Sequence, residues 1–278
     1  MERSNDSRLK EDELETNILE IKTDKVRAIV DVIKAISFKE TATLDVLNKG
    51  FRIIVDDMGM CQAVAYLEST IFQSYTRSEN FKFDIPLRAL TESLSLLDGQ
   101  GQVFQMKYAK DDIYLDCILE VDGVVIGSRI RILDTDEQST GNFVFDSNVV
   151  VARVMMRTAL IHDLFKDMDT SSSALFIEVS KTGISFITIG DMGKVTTTIP
   201  SKSVLMDAID CPVPIRHRYR MGMMRRMTQA LFIAEKVSLR FDSEGVLGAQ
   251  FIIRHESCGE GNEIFTEFFC VPDYEESG

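Results

Sequence analysis

The sequence predicts an α+β protein in which two similar domains, each built mainly from antiparallel sheets, follow one another along the chain. Short strand-like segments outnumber helical segments and alternate with tight turns, which is typical of antiparallel sheets. The order of elements occurs twice. Three motifs also recur 133 or 134 residues apart: Asp57-Met58-Gly59 as Asp191-Met192-Gly193, Lys49-Gly50-Phe51 as Thr182-Gly183-Ile184, and Val103 as Val237. Together they indicate an internal repeat.

The first copy is expected to contain two amphipathic helices among several strands. Asp24–Ile36 places apolar residues at helical spacing behind a possible N-cap at Asp24, and Pro86–Leu97 starts with proline and has leucines on one face. The strands expected around these helices are Ala42–Leu47, Phe51–Val55, Cys61–Leu67, Val103–Tyr108, Ile113–Glu120 and Val124–Leu133.

The second copy repeats this order after Asp134–Asn142, a segment without large apolar residues that we interpret as a linker. Helices are expected at 152–168 and 221–233. The expected strands are Ala174–Ser180, Ile184–Ile189, Lys194–Ile199, Val237–Phe241, Ala249–His255 and Ile264–Cys270. The domain boundaries are therefore 17–133 and 143–273, between a disordered tail at 1–16 and an acidic tail at 274–278.

The composition is that of a globular protein with an uneven charge. The 278 residues carry a net charge of −13, yet Pro212–Ala234 contains five arginines and no acid. Such a stripe can contact phosphates or pair with acids elsewhere, and charge alone leaves both readings open. The five scattered cysteines form no CxxC pair and indicate reduced thiols. The sequence contains no long apolar run, so neither a signal peptide nor a membrane-spanning helix is expected.

The sequence contains no recognisable catalytic constellation. Phosphate-binding glycine motifs and a GxSxG elbow are absent from it. His255 and Cys258 have a ligand-like spacing but no second pair, so no metal or other cofactor is expected. A two-metal nuclease would need converging acids. The candidates for that alternative are Asp56, Asp57, Asp111, Asp112, Asp116 and Asp122, most of which fall at predicted turns.

The helices concentrate basic residues on their polar faces, while the net negative charge lies elsewhere. The bases on the predicted helices are Arg27, Lys34, Arg88, Arg153, Arg157, Lys166, Arg220, Arg225 and Arg226. This distribution would suit helices that line an electropositive surface beneath acidic sheets.

A two-copy chain of this kind resembles the PCNA-type sliding clamps. In more detail it is similar to the Rad-one-type subunits of the heterotrimeric checkpoint clamp, the nine-one-one complex, over roughly residues 18–273. The residues that carry the match are Lys34-Ala35-Ile36-Ser37-Phe38, Ala42-Thr43, Gly50, Gln62-Ala63, Ile71-Phe72-Gln73 and Phe268-Phe269-Cys270-Val271-Pro272-Asp273.

The resemblance implies the DNA-clamp fold, with sheets outside and two helices of each domain inside a ring of three subunits. It implies a non-catalytic subunit in the nucleus that is loaded at damaged DNA by a clamp loader and recruits checkpoint and repair proteins. Double-stranded DNA would pass through the pore without sequence readout. The pore-facing candidates are then Lys34, Arg88, Arg153, Arg157, Lys166, Arg220, Arg225 and Arg226.

By the same resemblance, two β-prone segments are expected to pair with neighbouring subunits, because an uncovered edge strand is otherwise an aggregation hazard. Central strands within the chain are the alternative. The interface candidates are Val124, Ile126, Ile130 and Ile132 in the first domain and Lys194, Val195, Thr197 and Ile199 in the second. Two other functions stay open at this stage: a metal-dependent 3'-5' exonuclease and a homotrimeric replicative-type clamp.

Overall fold

A computed structural model describes residues 17–97, 101–133, 145, 149–168, 171–191, 193–258 and 263–274. The expected linker at 134–142, the tail at 1–16 and all but the first residue of the acidic tail lie outside these ranges. Within them, no helix is long and apolar enough to cross a membrane.

The first half of the chain contains nine strands and two helices in its described part. In chain order they are β1 (Asn17–Thr23), α1 (Val26–Ile36), β2 (Thr41–Leu47), β3 (Gly50–Asp57), β4 (Cys61–Glu68), β5 (Ser74–Arg77), β6 (Phe81–Pro86), α2 (Leu87–Leu94), β7 (Val103–Ala109), β8 (Tyr114–Val121) and β9 (Val124–Arg131).

The second half repeats the same succession, with its last helix divided in two. Its elements are β10 (Val150–Arg157), α3 (Thr158–Asp167), β11 (Ala174–Ser180), β12 (Gly183–Gly190), β13 (Gly193–Pro200), β14 (Met206–Asp210), β15 (Ile215–Arg220), α4 (Met221–Arg225), α5 (Thr228–Ile233), β16 (Lys236–Asp242), β17 (Leu247–Arg254) and β18 (Glu263–Cys270).

The sheets repeat as well, and one of them joins the two halves. The strand order β5-β1-β7-β8-β9 corresponds to β14-β10-β16-β17-β18, and β6-β2-β3-β4 corresponds to β15-β11-β12-β13. Every one of these pairings is antiparallel. Strand β18 pairs with β4, so that one nine-stranded sheet runs from β14 to β6. We call this β4–β18 pairing the seam.

Two glycines mark the repeat in atomic detail. Gly50 begins β3 at φ +133° and Gly183 begins β12 at φ +155°. A Cβ on Gly50 would collide with the carbonyl oxygen of Leu67, and one on Gly183 with that of Ile199. The same close approach of backbone therefore occurs at the same place in both halves, where only glycine fits.

The helices form one layer against the nine-stranded sheet. Helix α1 lies between α2 and α5, and α5 also contacts α3. Phe38, which follows α1, packs on Phe268 of β18 at 6.4 Å between ring centroids, so the helices cover the face of the sheet to which Phe268 points. The core lies between these layers and includes fully buried Leu44, Ile53 and Phe241.

Each of the four expected helices differs from the sequence prediction. Helix α1 starts at Val26 after Lys25, so the expected N-cap at Asp24 is wrong. Helix α2 ends at Leu94 instead of Leu97.

The helix expected at 152–168 starts only at Thr158, because Val150–Arg157 forms β10 between β14 and β16. Buried Ala152, Val154 and Met156 alternate with more exposed residues, and this period of two indicates a strand. The prediction of a helix considered the apolar residues of 152–168 together, and the short alternating segment at its start was not distinguished. The helix expected at 221–233 is interrupted at Arg226 and Met227.

Candidate nucleic-acid interface and subunit edges

The exposed side of the helix layer carries more bases than acids among its described side chains. Lys34 on α1, Lys166 on α3 and Arg225 on α4, three of the residues predicted to face the pore, are exposed on their helices. Arg88 on α2 is exposed and donates to Glu92 at 2.7 Å, which offsets its charge. The acids Asp31 and Asp163 also lie on this layer, so its positive character is moderate.

Arg27 is the basic residue on this layer that the set of pore-facing candidates omitted. It is exposed on α1, seven residues before Lys34, and therefore shares one face of the helix with it. Both residues line an open cavity of about 330 Å³ between α1 and the end of α2, together with Asp31 and His255. The seven-residue spacing between Arg27 and Lys34 is visible in the sequence, and it could have predicted that Arg27 lies on the same helix face as Lys34.

Arg153 and Arg157 do not belong to the helix layer, which corrects the prediction for both. They lie on β10, where Arg153 is opposite Arg240 in the register and Arg157 is opposite Lys236. The alternate residues Val154 and Met156 are the buried ones. Arg153 therefore points to the face of the nine-stranded sheet that is opposite the helices, and Arg157 points the same way at the strand end.

Arg220 and Arg226 are held within the chain and do not extend freely from a helix. Arg220 pairs with Asp273 at 3.1 Å, next to the pair that Arg218 makes with the same carboxylate at 3.4 Å. Arg226 lies at the interruption between α4 and α5, where its guanidinium pairs with Asp57 of the first half at 2.6 Å. It also stacks over Phe38 at 4.6 Å.

The Asp57 carboxylate is the centre of this contact between the halves. It accepts from Lys39 at 2.6 Å as well as from Arg226, and its side chain is only 11% exposed. The hydrogen bonds from Lys39 and Arg226 hold the pKa of Asp57 below its ordinary value, although burial opposes them.

The other acids considered for a nuclease do not converge. Asp56 accepts from the backbone N–H of Gly59 at 3.1 Å, and Asp112 and Asp116 both pair with Arg129. Asp111 and Asp122 adopt positive φ angles at turns. His255 lies 3.6 Å from Asp31. Among the residues that the structure describes, no group of three His, Cys, Asp or Glu side chains could hold a metal ion.

Strands β9 and β13, which contain most of the expected interface residues, are the free edges of their sheets. Within the described ranges β9 pairs with β8 and β13 with β12, and only Leu133, beyond the end of β9, bridges to Asp84. The exposed fraction is 54% for Val124 and 44% for Val195, but Ile130 and Ile199 are buried in the core of their own halves.

The hydrogen bonds of β9 and β13 to their own sheets show which backbone N–H and C=O groups point away from the sheet. Ile132 donates to Ile113 at 2.9 Å and Ser201 donates to Thr182 at 2.8 Å, each across a directly opposed pair. Antiparallel pairing alternates, so the intervening residues direct their N–H and C=O groups to the free side. These residues are Val125, Gly127, Arg129 and Arg131 in β9 and Lys194, Thr196 and Thr198 in β13.

This architecture of two repeated halves, with mainly antiparallel sheets on one side and helices on the other, defines a protein of the DNA-clamp fold. A family comparison agrees: residues 18–253 match the family described as repair protein Rad1/Rec1/Rad17. The chain belongs to this family.

Individual relatives cover almost the whole chain. The cell cycle checkpoint protein RAD1 homolog mrt-2 of Caenorhabditis elegans is 32% identical over 269 residues, which is 95% of this chain and 99% of the relative. The cell cycle checkpoint protein RAD1 of Homo sapiens is 31% identical over 91% of this chain and 90% of its own length. The DNA damage checkpoint control protein rad1 of Schizosaccharomyces pombe is 19% identical over 89% and 84%. The chain is a checkpoint clamp subunit, as the resemblance implied.

Proposed function

We propose that this protein is one of three clamp-like subunits that close a ring around double-stranded DNA in the nucleus. In this role it is non-catalytic: a clamp loader places the ring at damaged DNA, and the ring recruits checkpoint and repair proteins. The observation that carries the proposal is the equivalence between the free edges and the seam.

The seam supplies a template for ring closure. Strand β18 occupies the same place in its sheet as β9, and β4 occupies the same place as β13. Since β18 and β4 pair within the chain from Phe265↔Tyr66 to Cys270↔Cys61, their free counterparts are shaped for the same antiparallel pairing between chains. Each subunit offers one edge of each kind, so repetition of this contact is heterologous, and it generates a ring when the rotation between neighbouring subunits closes.

The charges on the free edges favour neighbours that are different chains. Strand β9 carries Arg129 and Arg131, strand β13 carries Lys194, and neither strand contains an acid. Arg129 is already paired with Asp112 and Asp116, but pairing β9 with β13 of an identical copy would bring Arg131 and Lys194 to one subunit contact without an acid from either strand. A neighbouring chain whose edge strand carries Asp or Glu would be complementary.

The edge can be tested without disturbing the sheet that carries it. Gly127 has its N–H on the free side of β9, so Gly127→Pro removes a donor needed by a neighbour while the bonds to β8 persist. We expect the variant to fold and to fail to assemble with the other subunits. Gly127→Ala is the matched control, because a Cβ there meets no atom within 4 Å. Normal assembly of the proline variant would contradict the edge pairing.

Contact with DNA is proposed for the helix layer. Lys34, Lys166 and Arg225 offer flexible cations on helices, which suits sequence-independent attraction to phosphates. Reversal of all three to Glu should leave assembly intact and reduce retention on DNA, with a shallower salt dependence. Arg153→Glu on the opposite face of the sheet is the control and should bind normally. If the triple variant assembles and binds DNA as tightly as wild type, the helix layer is not the DNA-contacting surface.

A further inference from the structure

Two buried thiols face each other across the seam. Cys61 begins β4 and Cys270 ends β18, and they are directly opposed in the register. Their Sγ atoms are 3.5 Å apart, with the Cys270 thiol oriented to donate to the Cys61 sulfur. Opposed residues in antiparallel strands have Cα atoms about 4.5–5.5 Å apart. This spacing falls within the range of disulfide-bonded cysteines.

The surroundings of the two thiols make them chemically unequal. The hydrogen bond from Cys270 and the nearby Arg226 guanidinium lower the pKa of Cys61, whereas donation of that hydrogen bond and complete burial raise the pKa of Cys270. Cys61 is thus the more readily ionised of the two thiols, and Cys270 is the less readily ionised. The nucleophile and the resolving partner of a dithiol have these properties.

The pair lies at the end of the seam, where the strands can open locally. Cys61 follows the turn at Asp57–Met60, and Cys270 precedes the final described segment. The next backbone bond, from the N–H of Val271 to the carbonyl of Met60, is 3.1 Å long. Both cysteines are fully buried, so an oxidant needs fraying of this end. Met58, in the adjacent turn, is 86% exposed.

We propose that Cys61 and Cys270 form a peroxide-sensitive dithiol that closes to a disulfide across the seam. The Cys61 thiolate attacks one oxygen of hydrogen peroxide, the O–O bond breaks, and the products are a sulfenic acid and hydroxide. The Cys270 sulfur, having lost its proton, then attacks the Cys61 sulfur; the S–S bond forms and the S–O bond breaks. The two thiols lose two electrons and two protons, and the peroxide becomes two molecules of water.

The disulfide would join the two halves covalently at the seam, which is the only strand pair that they share among the described strands. It would close a loop from position 61 to position 270, and a long closed loop restricts the unfolded chain strongly. The oxidised protein should therefore unfold at a higher temperature and exchange amide hydrogens more slowly in β4 and β18 than the reduced protein does. This inference is independent of the proposed ring.

The test is peroxide treatment of the full chain at neutral pH, followed by thiol blocking, digestion without reductant and mass spectrometry. We expect a linked peptide pair containing Cys61 and Cys270 that dithiothreitol separates. Cys117→Ser, a buried cysteine on β8, is the matched control and should give the same link. In Cys270→Ser the resolving thiol is absent, so Cys61 should accumulate as sulfenic acid that dimedone traps.

The exposed Met58 serves as an internal indicator that peroxide has acted. Samples with Met58 oxidised to sulfoxide while Cys61 and Cys270 both stay reduced would overturn the proposal. A link that forms only in denaturing urea would overturn it too, because the reaction would then belong to the unfolded chain. A link that forms in the native protein but does not slow exchange in the seam would contradict the inferred consequence.

Discussion

The ion pairs of Asp57 provide a quantitative test of how the two halves are held together. Asp57→Asn keeps the shape of the side chain and removes the charge that faces Lys39 and Arg226. It leaves the Arg226 guanidinium, whose side chain is 23% exposed, without its carboxylate. Among the residues that the structure describes, the buried Nη1 of this guanidinium has no hydrogen-bond acceptor.

The expected cost follows from the exposure of each partner. The pair with Lys39, which is 39% exposed, should contribute less than about 1 kcal/mol. The pair with Arg226 is more enclosed, and a hydrogen bond to a charged group contributes about 1.5–3 kcal/mol. Since asparagine can still accept one bond, we expect a total loss of about 2 kcal/mol in the free energy of unfolding at pH 7.

The pH dependence gives the prediction a sign. The folded-state pKa of Asp57 is lowered, so its contribution is complete above the unfolded-state value of about 3.9 and is lost as the pH falls through the lower folded value. Wild type and Asp57→Asn should therefore differ by a constant amount from pH 7 to about pH 5 and converge in more acidic solution.

Urea unfolding followed by circular dichroism measures this difference at each pH. Asp56→Asn is the matched control: it is the neighbouring residue on the same strand, and its carboxylate caps the turn through the Gly59 N–H. It should lose about 1 kcal/mol or less. Equal stability of wild type and Asp57→Asn at pH 7, or a difference that persists unchanged below the folded pKa, would show that the ion pairs of Asp57 do not hold the halves together.

Two further predictions concern stability. Gly50→Ala and Gly183→Ala should each cost about 2–4 kcal/mol in urea unfolding, because the new methyl group collides with a backbone carbonyl of the adjacent strand. Gly123→Ala, at a positive φ in open space, should cost only about 1 kcal/mol, and equal costs at all three sites would contradict the collision. Tyr219→Phe should lose about 1–2 kcal/mol in thermal or urea unfolding, because the buried hydroxyl donates to the carbonyl of Gly245 at 2.7 Å. An unchanged midpoint would show that this bond contributes nothing.

The repeat, the fold class and most strands were predictable because their signals are local or periodic. Gly50 and Gly183 recur at the same structural position, and the turns after Asp57 and before Gly193 connect equivalent strands. The alternation in Val124–Arg131 also identified a strand, although its place at a sheet edge depended on the family resemblance.

The cationic residues were harder to place, because their positions depend on strand pairing and on contacts distant in sequence. Arg153 lies in a window whose apolar residues predict a helix, but it alternates with buried Val154 in a strand between β14 and β16. Arg226 is separated from Asp57 by more than half of the chain, and no local pattern indicates that they meet. The pairing of Cys61 with Cys270 is equally non-local, since it requires β4 and β18 to be neighbours.

The native mass and chain composition of the tagged protein, purified from its own cells, show directly how this subunit assembles. We predict a particle in which this 31.4 kDa chain occurs once, together with two different clamp-sized chains in equal amounts. A ring of three identical copies would contradict the proposal that β9 and β13 pair with different chains. A lone chain, under conditions that preserve complexes, would contradict assembly through these strands.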